Sequence, residues 1–197
     1  MQQLATVPLR AASAAPGFSL VVVLVLLGAI ALGSVAALRG SAGSTQLARA
    51  QLMRAMAQEQ AQAGLLYCEA QVLLPSAARL PALAQGAIPS STPTQPAWAS
   101  AALWRSGTAL VAVPWAEAAS GGKSPVCLVE AQNLPEQGPG VTVYTVNARG
   151  FSPDHRADAT SGVTVAGVAV WLQSTLLIEN AQVRARLWRR MLNPPLR

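Results

Sequence analysis

Apolar positions along this chain follow three successive patterns. From Phe18 to Leu38 the sequence FSLVVVLVLLGAIALGSVAAL holds no charged residue, and its only polar side chains are Ser19 and Ser34. At about 1.5 Å per residue this run would make a helix of ~31 Å, close to the ~30 Å hydrocarbon core of a bilayer. It is therefore read as a membrane-spanning helix. Over residues 44–74 the apolar positions become spaced: Leu47, Met53, Met56, Ala63 and Leu66 recur at three- to four-residue steps, allowing for small residues, among strong helix formers with no proline before Pro75. That spacing predicts an amphipathic helix, and the two segments together predict one long rod interrupted around Gly40 and Gly43.

Beyond Pro75 the pattern changes to Pro, Ser, Thr and Ala up to about residue 100, with Pro81, Pro89, Pro93 and Pro96 breaking any long element, so this stretch is read as loop. Short β-branched runs follow. Strands are expected at Thr108–Val113, Val126–Val129, Val141–Asn147 and from about Thr164 to Ile178, the first two separated by the Gly121-Gly122 turn. One N-terminal helix followed by three to four strands in succession predicts an α+β fold, an antiparallel sheet packed on the helix. In the tail, Val183, Leu187 and Met191 fall at four-residue steps among arginines and stop before Pro194-Pro195, which predicts a short basic amphipathic helix able to touch acidic headgroups or a partner subunit.

Length and composition narrow this picture. A chain of 197 residues has room for one domain plus an anchor or signal segment, and 52% apolar with 11% charged residues does not describe a disordered chain. The net charge of +6 would suggest a nucleic-acid partner, but Arg184, Arg186, Arg189, Arg190 and Arg197 are all in the last fourteen residues. The body is close to neutral, so nucleic acid is not an expected partner. Cys68 and Cys127 stand in no CxxC or zinc-finger spacing. Outside the cytoplasm they could pair, stabilising the fold by roughly 3–4 kcal/mol on the chain-entropy model, or they could be two separate buried thiols.

Two export signals compete at the N-terminus. Ser34-Val35-Ala36 could serve as the cleavage site of an ordinary secretory signal, which would remove the apolar run. Alternatively residues 1–17, which contain Arg10, are a class III leader cut ahead of the run, at Pro16-Gly17-Phe18-Ser19-Leu20. The amphipathic helix that follows the span favours the second reading, because cutting after Ala36 would split the rod. Arg10 and Arg39 flank the span and no acidic residue occurs before Glu59, so charge alone orients it poorly.

The segment GFSLVVVLVLLGAIAL resembles the N-terminus of type IV pilins, more narrowly of minor pilins of the PilX type. The likeness is specific over 17–38, looser over 39–74, and returns where Tyr144-Thr145-Val146-Asn147-Ala148-Arg149-Gly150 and Val170-Trp171-Leu172-Gln173-Ser174-Thr175 are similar to closing strands of that family. The resemblance implies a pilin-like fold with a leader at 1–17, a transmembrane and assembly helix at 18–38, its amphipathic half at 39–74, a periplasmic globular domain at 75–179 and a basic tail at 180–197. Gly17 and Phe18 would flank the processing site, with Phe18 methylated, and Ser19, Leu20 and Val22 would open the assembly helix. Cys68 on the helix and Cys127 on a central strand could then staple the sheet to the rod.

Most pilins carry glutamate as the fifth mature residue, where this chain has Val22. A subunit without that carboxylate suits a position with few subunits ahead of it. The resemblance implies a structural subunit that initiates pilus assembly and sits at or near the tip, supporting twitching motility and adhesion. Its implied partners are prepilin peptidase, other minor pilins, a tip adhesin, the major pilin and inner-membrane lipid. Its implied location is the inner membrane by a single span with a periplasmic C-terminal domain, then the pilus. A K-like minor pseudopilin of a type II secretion system, or a soluble periplasmic binding module released by signal peptidase, are the alternatives.

Nothing in the chain points to catalysis. His155 is the single histidine, so no Ser-His-Asp or Cys-His set has its supporting partner, and no GxxxxGK[ST], GxGxxG or HExxH pattern occurs. Asp154, His155 and Asp158 could ligate a metal on spacing, but read as a solvated turn, and no metal or cofactor is assigned. Trp98, Trp104, Trp115, Trp171 and Trp188 are read as packing residues.

Overall fold

A computed structural model describes residues 18–114, 123–135 and 138–196. The leader with Gly17, the Gly121-Gly122 turn, Trp115 and Arg197 therefore lie outside the described residues. The chain divides into two compact units, residues 1–48 and 49–197. Helix α1 (Phe18–Leu73) contributes to both.

Within the second unit, α1 is followed by 3-10 turns at Ser76–Ala78 and Pro81–Leu83, strand β1 (Ser90–Ser91), a third 3-10 turn at Ala97–Ala99, and the short helix α2 (Ala101–Ser106). Then come β2 (Leu110–Ala112), β3 (Val126–Gln132), β4 (Val141–Phe151), β5 (Arg156–Ala157), β6 (Thr164–Ala166), β7 (Ala169–Glu179) and β8 (Gln182–Arg190). The main sheet runs β1-β3-β4-β7-β8, with β2 also on β3, while β5 and β6 form a separate pair. β1 and β2 share one edge of β3 end to end: Leu110–Ala112 pair antiparallel with its start, and Ser90–Ser91 pair parallel with its end. β8 forms the opposite edge of the sheet.

These facts correct the expected pilin-like fold. The sheet is six-stranded and mixed, not an antiparallel sheet of three to four strands, because the proline-rich stretch read as loop supplies β1 and the tail supplies β8. The membrane anchor is corrected as well. Among the described residues no helix is long and apolar enough to cross a membrane. Single-pass insertion in the inner membrane with a periplasmic C-terminal domain is overturned on that finding.

Three local expectations also change. The stripe of α1 that meets the sheet is not Leu47, Met56 and Leu66, which are all exposed, but Ala57, Ala61, Leu65, Cys68 and Val72. The small residues are there because β4 presents Gly150 to the helix: a Cβ at Gly150 would fall inside contact distance of the Ala57 carbonyl and the Ala61 nitrogen. The single strand expected at Thr164–Ile178 is broken at Gly167, whose φ of +71° a side chain would oppose and whose Cβ would meet the His155 backbone at 2.7 Å.

The tail is a strand, not a helix. Asn180 and Ala181 both have positive φ, 50° and 63°, which makes a two-residue hairpin between Glu179 and Gln182, and the strand that leaves it pairs antiparallel along β7. A four-residue step keeps residues on one face of a strand as well as of a helix, so the apolar pattern did not distinguish the two.

The core is split by the sheet. On the helix side, Ala57, Ala61, Leu65, Cys68 and Val72 pack with Val129, Val146, Ala148, Leu172, Leu176 and Ile178. On the other side Trp104, Leu128, Trp171 and Leu196 form a second cluster, with Trp98 and Met191 against it. The indole N–H of Trp104 donates to the Trp98 carbonyl at 2.8 Å, and the Trp104 ring meets Trp171 edge-on at 4.6 Å.

Candidate functional site

Four features can carry function. The first is the apolar half of α1. Ser19, Leu20 and Val22 begin it, and the side chain of every residue from 19 to 34 is exposed. Leu20 is 67% exposed and Leu32 75%, values that show apolar surface facing outward all round the helix. Ser34 turns its hydroxyl back onto the Ile30 carbonyl at 2.8 Å, so even this polar group is satisfied by the helix itself. Val22 leaves the run without a carboxylate; the processing site at Gly17 lies outside the described residues, and Phe18 is the first residue of α1.

The second is the link between helix and sheet. Cys68 of α1 and Cys127 of β3 are joined in a disulfide, 59 residues apart in sequence, with both side chains fully buried.

The third lies on the sheet face away from α1, where charged groups are buried. Glu130 has no exposed surface, and its carboxylate accepts the Trp98 backbone N–H at 3.2 Å and the Gln132 amide at 3.1 Å. Burial pushes its carboxyl above the usual range, opposed by the N–H groups of Trp98 and Ala97 and by Ser91 and Asn147. Beside it a row of side-chain hydrogen bonds crosses three strands: Arg189 donates to Gln173 at 2.7 Å, and Gln173 to Asn147 at 2.6 Å.

Further along the same face the Arg149 guanidinium is 3% exposed and lies between the rings of Trp171 (4.8 Å) and Phe151 (5.0 Å). Its terminal nitrogen donates to Thr164 at 3.2 Å, while its Nε has no hydrogen-bond partner. Lys123 stands 4.9 Å from the same Phe151 ring. Burial pushes Arg149 down to about 10, and burial together with Arg149 and Lys123 pushes the His155 imidazole down to about 4. His155 is thus neutral at ordinary pH, shares a hydrogen bond with Thr164 at 3.2 Å and leaves Nδ1 without a partner.

Asp154, His155 and Asp158 do not converge on a metal. Asp154 accepts from Ser152 at 2.6 Å, and Asp158 accepts the N–H groups of Thr160 and Ser161. Among the described residues no group of three His, Cys, Asp or Glu could hold a metal ion.

The fourth feature is the β8 edge. All nine of its residues are exposed, including Leu187 at 72% and Trp188 at 59%. Arg186 reaches back to the buried Glu69 of α1 at 2.9 Å. That contact is off the hydrogen-bond direction, since Glu69 Oε2 has no hydrogen bond of ordinary geometry, so it acts as an ion pair. Arg184 pairs with Glu179 at 2.9 Å in an exposed bridge. Between helix and strand a groove of about 230 Å³ opens, lined by Gln62, Leu65, Leu66, Glu69, Arg186 and Trp188.

Sequence reasoning singled out Gly17, Phe18, Ser19, Leu20, Val22, Cys68 and Cys127 and passed over Glu130, Arg149, Glu69 and the β8 edge. One signal for β8 was present: Arg184, Arg186, Trp188 and Arg190 alternate with Ala185, Leu187 and Arg189 at a period of two. Among the described residues no catalytic set is assembled at any of these places. No family model matches the chain, and no match is found among curated proteins or solved structures.

Proposed function

We propose that this chain is a structural subunit that assembles through the apolar half of α1: a minor type IV pilin that takes part in initiating pilus assembly at or near the tip, supporting twitching motility and adhesion. The observation that carries this reading is the exposure of apolar side chains on every side of residues 19–34. A helix that is apolar all round persists only when something covers it. No described helix is long and apolar enough to cross a membrane, so the covering proposed is a bundle of like segments from neighbouring subunits. Burial of each exposed Leu, Val or Ile side chain there would contribute about 1.5–3 kcal/mol.

Val22 fits a subunit at the start of such a bundle. A glutamate at that position would neutralise the N-terminal ammonium of a subunit packed against it, and Val22 cannot. Prepilin peptidase would cut between Gly17 and Phe18, and other minor pilins, the major pilin and a tip adhesin are the proposed partners.

The mass of the mature N-terminus tests the reading. N-methylated Phe18 is the expected product, whereas a chain beginning at Ala37 would have lost its assembly segment and overturns the proposal. Deleting the gene should abolish surface pili. Intact pili with lost release of secreted proteins would assign the subunit to a type II secretion system instead.

A further inference from the structure

We infer that β8 is a docking edge for an extended, acidic segment of another protein, which adds to the sheet as a further strand and seats an apolar side chain in the groove beside Trp188. This surface lies in the second unit and does not depend on the apolar half of α1.

The backbone supplies the first part of the argument. Met191 N–H donates to the Trp171 carbonyl at 3.1 Å, which fixes the hydrogen-bonding phase between β8 and β7. In an antiparallel ladder residues alternate between bonding inward and outward. With Leu172 opposite Arg190 and the register unbroken as far as Leu177 opposite Ala185, Leu187, Arg189 and Met191 bond to β7. The N–H and C=O groups of Arg186, Trp188 and Arg190 point away from the sheet, at an edge where every residue is exposed.

The side chains decide which strand can add there. β8 carries Arg184, Arg186, Arg189 and Arg190 and no acidic residue. Two are paired within the chain, Arg184 with Glu179 and Arg186 with Glu69, while Arg189 and Arg190 have no carboxylate among the described residues. Like charges directly opposite are destabilising, so a second copy of β8 is disfavoured as the occupant. No other segment of this chain has the complementary pattern, since none of its eight acidic residues stand at i and i+2.

An acidic strand from a different protein meets both conditions. Arg186, Trp188 and Arg190 share the face toward α1, because Arg186 reaches Glu69 and Trp188 lines the groove with Leu65 and Leu66. The incoming strand would thus place alternate acidic side chains against the arginines and one apolar side chain against Trp188 and Leu66.

The test uses the full chain held in mild detergent and a nine-residue peptide in which Glu and Thr alternate, with the central Glu replaced by Leu. Binding should slow hydrogen exchange at the outward amides of Arg186, Trp188 and Arg190 by about tenfold or more while leaving β4 unchanged. Affinity should fall by about fivefold or more between low and high salt. Trp188→Ala, a change at an exposed position, should weaken binding about tenfold, as should Arg190→Glu. A peptide N-methylated at alternate amides should not bind. Equal binding of the N-methylated peptide, or binding without protection of those three amides, would mean charge attraction alone and overturns the inference. So would binding of the same peptide with Lys in place of Glu.

Discussion

On the side of the sheet that faces α1, Ala57 and Ala61 lie against Gly150 so closely that there is no room for one more carbon, and a disulfide from Cys68 to Cys127 pins the same seam. On the other side Glu130, Arg149 and His155 are covered by Trp98, Trp171 and Phe151 and are held by hydrogen bonds and ring faces. The first face is limited by volume and the second by charge. Each should therefore fail under a different perturbation: the helix side under added bulk, the outer side under a change of protonation.

The largest effect is expected from Gly150→Val. The new side chain would meet helix backbone, which cannot rotate out of the way as a side-chain tip can. Overpacking against a backbone should cost about 3–5 kcal/mol, read as a lower urea midpoint for the 49–197 unit. Ser174→Val lies fully buried one strand over, at a position whose hydroxyl has no hydrogen-bond partner, and should cost far less. If both variants unfold at the same urea concentration, close approach at Gly150 is not what sets the seam.

Breaking the disulfide comes next. Cys68→Ala with Cys127→Ala should lower stability by about 3–4 kcal/mol, from the added freedom of the unfolded chain and the lost packing of two fully buried residues. The same loss should appear on reduction of the unaltered chain, and a midpoint unchanged by reductant would show that the bond adds nothing to the seam.

The sequence pattern revealed the two faces unequally. Val126–Val129 and Val141–Asn147 were legible as strands because β-branched residues run between turn residues, and both lie inside β3 and β4. The helix seam was not legible, because Ala57 and Ala61 have too little apolar surface to mark a face, while Leu47, Met56 and Leu66 do and are exposed. In the apolar run, composition alone suggested a membrane span, whereas among the described residues no helix is long and apolar enough to cross a membrane.

The candidate surfaces divide in the same way. The N-terminal run was legible from hydropathy, but β8 was hidden because Asn180-Ala181 forms its hairpin without the glycine that usually announces one. Glu130, Arg149 and His155 look like surface residues in one dimension. Glu130 is buried where the Trp98 backbone comes over it, and Arg149 where it lies between Trp171 and Phe151, contacts no local pattern encodes.

The outer face makes the finest prediction, in acid. His155 titrates near 4 in the folded protein against about 6.5 in an unfolded chain, so between those values the unfolded state binds more protons. Stability should therefore fall as pH drops from about 6.5 to 4 and the loss should be complete below that. Partial exposure of the ring limits it to about 1–2 kcal/mol. Glu130 acts with the opposite sign: its raised carboxyl pKa favours the folded state below about 4.5, and that contribution is lost as pH rises through the folded value. His155→Gln, which keeps a partner for Thr164, should flatten the loss between pH 6.5 and 4, whereas Glu130→Gln should steepen it near the acid end. Urea midpoints measured from pH 4 to 8 separate the two, and an acid loss that survives intact in His155→Gln would place the protonation-sensitive group elsewhere than on this face.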